Sequence, residues 1–124
     1  MENLLLIGLG GFVGANARYL VSTWAAEQFG RLFPWGTLII NMSGSLLLAV
    51  FIAWAANRTA LDPRVRLFLA VGFFGAYTTF STFANESMAL LQAGDWLGAV
   101  TNVLGTNALC LIGAFIGLAI GARL

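Results

Sequence analysis

Four apolar runs, each long enough to cross a bilayer and separated by short polar turns, dominate this chain and leave it few ways to fold. They read as residues 4–24, 36–56, 67–91 and 96–122. A helix needs about 20 apolar residues to span the hydrocarbon core. Backbone placed in lipid must satisfy its own hydrogen bonds, and a helix does so within one segment. The runs and their turns consume all 124 residues, so the expectation is an all-α membrane protein with four transmembrane helices, one domain over residues 1–124. Composition points the same way: 60% of residues are hydrophobic, 9% are charged and the mean hydropathy is +0.89. A soluble domain carries roughly a quarter charged residues. The first run is not read as a cleavable signal peptide, because Glu2 stands where a basic region should be and the run is too long.

The same composition excludes several function classes. A net charge of +1 gives no surface for nucleic acid. Without histidine there is no imidazole metal ligand and no histidine proton relay, and the single cysteine, Cys110, forms no intrachain disulfide and no thiolate metal site. No nucleophile–base pair or phosphate loop is visible, so the chain is not read as an enzyme. Gly10 and Gly14 form a GxxxG pair in the first run, a spacing that lets helices approach closely in lipid. Both prolines, Pro34 and Pro63, fall in the connectors 25–35 and 57–66, so no span is expected to kink at proline. Antiparallel neighbours would put both termini and the 57–66 turn on one side, with Arg58, Arg64, Arg66 and Arg123; Arg31 lies on the other, with Arg18 near the end of the first run. That bias favours cytoplasmic termini only weakly and leaves room for insertion both ways round.

Polar residues inside spans are costly unless they have a partner or a wet cavity. Thr37, Asn41 and Ser45 recur every four residues in the second span, and Asn102, Thr106 and Cys110 do so in the fourth, so each set occupies one helix face. The third span is the most polar, with Thr78, Thr79, Ser81, Thr82 and then Glu86. Hydroxyls and amides are neutral donors, which suit an anion that must shed water and still leave; a proton or cation path would want buried carboxylates. The run from Gly75 to Thr79 combines glycine with β-branched residues and is poor helix, so a break is expected near the middle of the third span. Such breaks recur at membrane ion sites. Phe80 and Phe83 follow at adjacent positions on a helix face, and their electropositive ring edges could meet an anion.

Three stretches together resemble the bacterial fluoride channels of the CrcB/Fluc family: Gly11 to Ala15 leading to Arg18 and Tyr19, then Gly36-Thr37-Leu38 with Asn41 and Gly44, and the run from Gly72 to Phe83. The resemblance covers essentially the whole chain. It implies passive, fluoride-selective conduction across the bacterial inner membrane by an antiparallel, dual-topology homodimer with two pores. It also implies a structural sodium ion at the dimer centre, held by the main-chain oxygens of Gly75 and Thr78. By motif position Asn41, Phe80 and Phe83 would line the pore, with hydroxyl and vestibule contacts at Thr37, Ser81 and Thr82 and Glu86 near a pore mouth. Asn102, Thr106 and Cys110 would form a polar track, and Arg18 would serve anion attraction or structural pairing. The alternative is a proton-coupled transporter of the small multidrug type, which has similar bulk but needs an acid in its first helix; residues 4–24 contain none.

Overall fold

A computed structural model describes residues 1–124, and all of its regular secondary structure is helical. Helix α1 (Glu2–Phe29) is followed by α2 (Trp35–Ala56). The third span begins as α3 (Pro63–Arg66), winds on as a π-helical segment (Leu67–Phe74) and a short α4 (Gly75–Tyr77), and resumes after a break as α5 (Phe80–Gln92). Helix α6 (Trp96–Gly121) completes the bundle. Four spans, the third running Pro63–Gln92, have the length and hydropathy to cross a membrane.

Two boundaries differ from expectation. Helix α1 continues to Phe29, because Ala25, Ala26, Glu27 and Gln28 are good helix formers; it stops at Gly30, whose φ of 81° ordinary residues avoid. The third span starts at Pro63, ahead of the apolar run. Asp62 accepts a hydrogen bond from the Arg64 N–H at 2.9 Å, and proline is tolerated in a first turn that lacks donor partners anyway. Arg58 of the connector and Arg66 at the end of α3 come against α2. Arg66 Nη2 donates to Ala55 O at 2.7 Å, and Arg58 Nη1 to Trp54 O at 3.3 Å while its guanidinium lies 4.4 Å from the Trp54 ring centre. Both carbonyls belong to the last turn of α2, where Ala55 O also accepts from Arg58 N at 3.2 Å.

Helix α1 lies on the π-helical segment with backbone almost touching backbone. A Cβ on Gly14 would collide with the Phe73 carbonyl oxygen, and one on Gly72 would come within 2.8 Å of Ile7 O. In lipid there is no hydrophobic drive between helices, so close packing of this kind is what joins them. Only 20 of the 124 residues are buried. The apolar remainder, such as Leu9, Phe12, Leu104 and Phe115, faces outward, as it must where hydrocarbon is the solvent.

Candidate anion pathway

The break in the third span is where the expected poor helix ends. Thr78 (φ −79°, ψ 154°) and Thr79 (φ −150°, ψ 118°) are extended. Two extended residues free backbone groups at membrane depth, and Asn41 takes both sides of Thr79: its Oδ1 accepts from Thr79 N at 2.8 Å, and its Nδ2 donates to Thr79 O at 2.9 Å. Gly44 makes room for this, since a Cβ there would strike the Thr78 methyl. Thr79 then caps α5, its Oγ1 accepting from Thr82 N at 3.3 Å. On the other side, the Thr78 N–H and hydroxyl both donate to Phe74 O, at 3.1 and 2.9 Å.

Around the clamp lies a cavity of about 210 Å³. Asn41 and Ser45 line it from α2, Thr78, Thr79, Phe80 and Phe83 from the break and α5, and Thr106, Asn107 and Cys110 from α6. The two phenyl rings lie 5.6 Å apart, tilted by 51°. Phe83 is 7% exposed, whereas Phe80 is 76% exposed. No carboxylate lines this cavity.

A second, wider cavity of about 360 Å³ opens at the end where α1 meets α2. Arg31, Trp35, Thr37 and Glu86 are among its walls. Thr37 donates to Glu86 Oε1 at 2.9 Å, and Glu86 Oε2 is buried without a partner. Thr37 in the outer cavity and Asn41 and Ser45 in the inner one share a face of α2, so the stripe runs from one cavity into the next over about 12 Å at the helical rise.

Behind Phe83 a buried chain of hydrogen bonds ties α5 to α6. Thr106 Oγ1 donates to Asn102 Oδ1 at 3.1 Å, Asn102 Nδ2 to Ser87 Oγ at 2.9 Å, and Ser87 Oγ to Phe83 O at 2.8 Å. Asn102 is 1% exposed and lines neither cavity, so its amide joins helices.

The structure thus gathers Asn41, Phe80, Phe83 and Thr106 at the inner cavity and Thr37 and Glu86 at the outer one. Ser81, Thr82 and Arg18 line neither; the first two are exposed on α5, and Arg18 is half-buried on α1 with no hydrogen bond to its side chain. Gly75 is helical (φ −61°, ψ −36°) and lies just before the break. Sequence reasoning left out Ser87, Asn107 and the role of Thr79. Ser87 lies five positions past Thr82, off the spacing used to find the stripes, and only its pairing with Asn102 gives it meaning.

The profile of the family described as CrcB-like protein, Camphor Resistance (CrcB), matches residues 5–118. A fluoride-specific ion channel FluC of Koribacter versatilis (strain Ellin345) is 50% identical over 111 residues, covering 90% of this chain and 88% of the relative. A fluoride-specific ion channel FluC of Shewanella baltica (strain OS185) is 45% identical over 117 residues, 94% of each chain, and the same figures hold for one from Shewanella sp. (strain ANA-3). With the family profile spanning nearly the full chain and relatives this similar matching end to end, the chain belongs to the CrcB family.

Proposed function

We propose that the chain is a fluoride-selective channel that lets the ion cross the bacterial inner membrane passively. The names of its relatives support this. The observation that carries it is the inner cavity, lined by amide and hydroxyl groups and two phenyl rings with no carboxylate, on the same polar face of α2 whose Thr37 lines the wider outer cavity. Fluoride is small and holds its water tightly. A path that replaces that water with the remaining amide N–H groups of Asn41 and Asn107, a serine hydroxyl and the positive edges of Phe80 and Phe83 suits it, while a larger, less tightly hydrated anion gains less from the exchange. The small multidrug transporter has no support. The acids of α1, Glu2 and Glu27, sit at its two ends, and none lies in between.

The functional unit is proposed as an antiparallel, dual-topology homodimer with two pores. Phe80, Ser81, Thr82 and Asn85 are exposed within a span, where lipid offers the polar ones no partner. A second copy laid against this face would cover them and bring Ser81, Thr82 and Arg18 toward the pathway. At the centre of such a dimer we place a sodium ion. The donor set fits one: the N–H of Thr79, which would close on the Gly75 carbonyl in a continuous helix, is taken by Asn41, leaving main-chain oxygens of Gly75 and Thr78 at the break for a hard cation. A two-fold axis doubles that set. When bound, the ion supplies fixed positive charge; the residues of the chain hold it by backbone alone.

Purified protein in liposomes loaded with fluoride tests the proposal. The expected result is fluoride efflux without a proton gradient, read with a fluoride electrode, and far slower chloride efflux. Efflux that needs a proton gradient, or chloride leaving equally fast, contradicts it.

A further inference from the structure

The hydrogens of the polar groups lining the inner cavity are mostly spent inside the protein. Thr78 Oγ1 donates to Phe74 O at 2.9 Å, Thr79 Oγ1 to Thr82 Oγ1 at 3.0 Å and Thr106 Oγ1 to Asn102 Oδ1 at 3.1 Å. A hydroxyl has one proton, so these three threonines present lone pairs to the cavity, and lone pairs repel an anion. Asn41 and Asn107 each give one N–H to a backbone carbonyl, Thr79 O at 2.9 Å and Val103 O at 2.7 Å, and each keeps one. Ser45 differs from the threonines. It stands one turn past Asn41 on the same face of α2, lines the cavity and is partly buried, and no oxygen or nitrogen takes its proton. Its polar neighbour is Cys110 on α6. A thiol is a weak acceptor and a weak donor, so it neither holds the Ser45 proton firmly nor replaces it.

We propose that Ser45 is the anion-binding hydroxyl of the inner cavity, acting beside the remaining N–H of Asn41, and that Cys110 opposite it keeps that binding weak. This rests on the fluoride-channel reading and adds to it the residue whose hydroxyl is held by nothing stronger than a thiol. Conduction needs binding strong enough to admit the ion and weak enough to release it. One hydroxyl facing a thiol meets both demands; a second hydroxyl at 110 would hold the ion longer.

The test compares fluoride flux per assembled channel in liposomes for the wild type, Ser45→Ala, Cys110→Ser and the double variant. Ser45→Ala is expected to assemble normally and lose flux about tenfold or more, the scale of one hydrogen bond to a charged group. The double variant is expected to regain most of that loss, because Ser at 110 returns a hydroxyl from the facing wall without restoring anything on α2. A packing role for Ser45 predicts no such rescue, so a loss that Cys110→Ser leaves untouched overturns the proposal. Flux in Ser45→Ala within twofold of wild type overturns it as well. If Ser45→Ala fails to assemble, the nearly isosteric Ser45→Cys carries the same comparison: reduced flux, restored by Cys110→Ser, is expected, and unchanged flux is contrary. A wild type that retains fluoride would defeat the channel reading together with this one, whereas a conducting wild type with an indifferent Ser45→Ala defeats this one alone.

Discussion

Asn41 shows how much one side chain can be asked to do. Four-residue spacing places it on a polar stripe with Thr37 and Ser45, which suggests donors aimed at a passing anion. In the structure its amide first repairs the backbone, accepting from Thr79 N and donating to Thr79 O, and one N–H is left for the cavity. The spacing was readable in the sequence; the partner was not, because it lies 38 positions away on another span. Asn41→Asp keeps the shape and the bond from Thr79 N. It cannot donate to Thr79 O, and it places a charge where an anion must pass. Fluoride flux is expected to fall at least about tenfold, since repulsion adds to a lost hydrogen bond. Liposome efflux from a stably assembled Asn41→Asp variant checks this, and normal flux there would remove Asn41 from the pathway.

At the level of elements, the third span holds the surprise. Its break at Thr78 and Thr79 falls within the stretch of poor helix propensity, so the sequence located it to within a few residues. The π-helical winding before it had no signal. Leu67 to Phe74 is apolar all round except for Gly72, so no periodicity can report how tightly it turns. That winding fits a surface cut by the glycines of α1, and π-segments often sit next to functional positions. Gly14→Val should therefore act on both elements at once. Its Cβ would meet the Phe73 carbonyl, and overpacking of this kind costs about 1–3 kcal/mol. Gly8→Ala, where nothing lies within 4 Å, is the matched control. Thermal unfolding in detergent should separate them, with Gly14→Val melting earlier and Gly8→Ala close to wild type; equal melting temperatures would show that the α1 contact is not tight in the membrane.

For the whole molecule, orientation depends on few charges. Arg58, Arg64, Arg66 and Arg123 share an end with both termini, and Arg31 lies at the other. Arg58 and Arg66 are bound to the last carbonyls of α2, and Arg64 pairs with Glu2 at 3.0 Å, both largely exposed. An exposed pair of that kind contributes little to stability. The excess over the other end is small, which suits insertion in both directions. Two or three lysines added to the 57–62 turn, or instead to the 93–95 turn, should fix opposite orientations. Each variant alone is expected to conduct poorly and the mixture to conduct well. Full flux from one fixed-orientation variant would refute the dual-topology dimer.

The amino-acid sequence alone determined that this chain has four membrane spans, where they turn, and that polar residues form stripes at residues 37–45 and 102–110. Those properties follow from hydrophobic length and from a 3.6-residue period, both local to a segment. Which stripe faces an open cavity and which one is sealed as glue was decided by tertiary structure. Asn102 and Thr106 share a stripe with Cys110, yet Asn102 is locked to Ser87 while Cys110 lines the inner cavity. The same holds for the donors themselves. A threonine and a serine look equally able to bind an anion in a sequence, but a hydroxyl has one proton, and only the assembled bundle fixes which acceptor receives it.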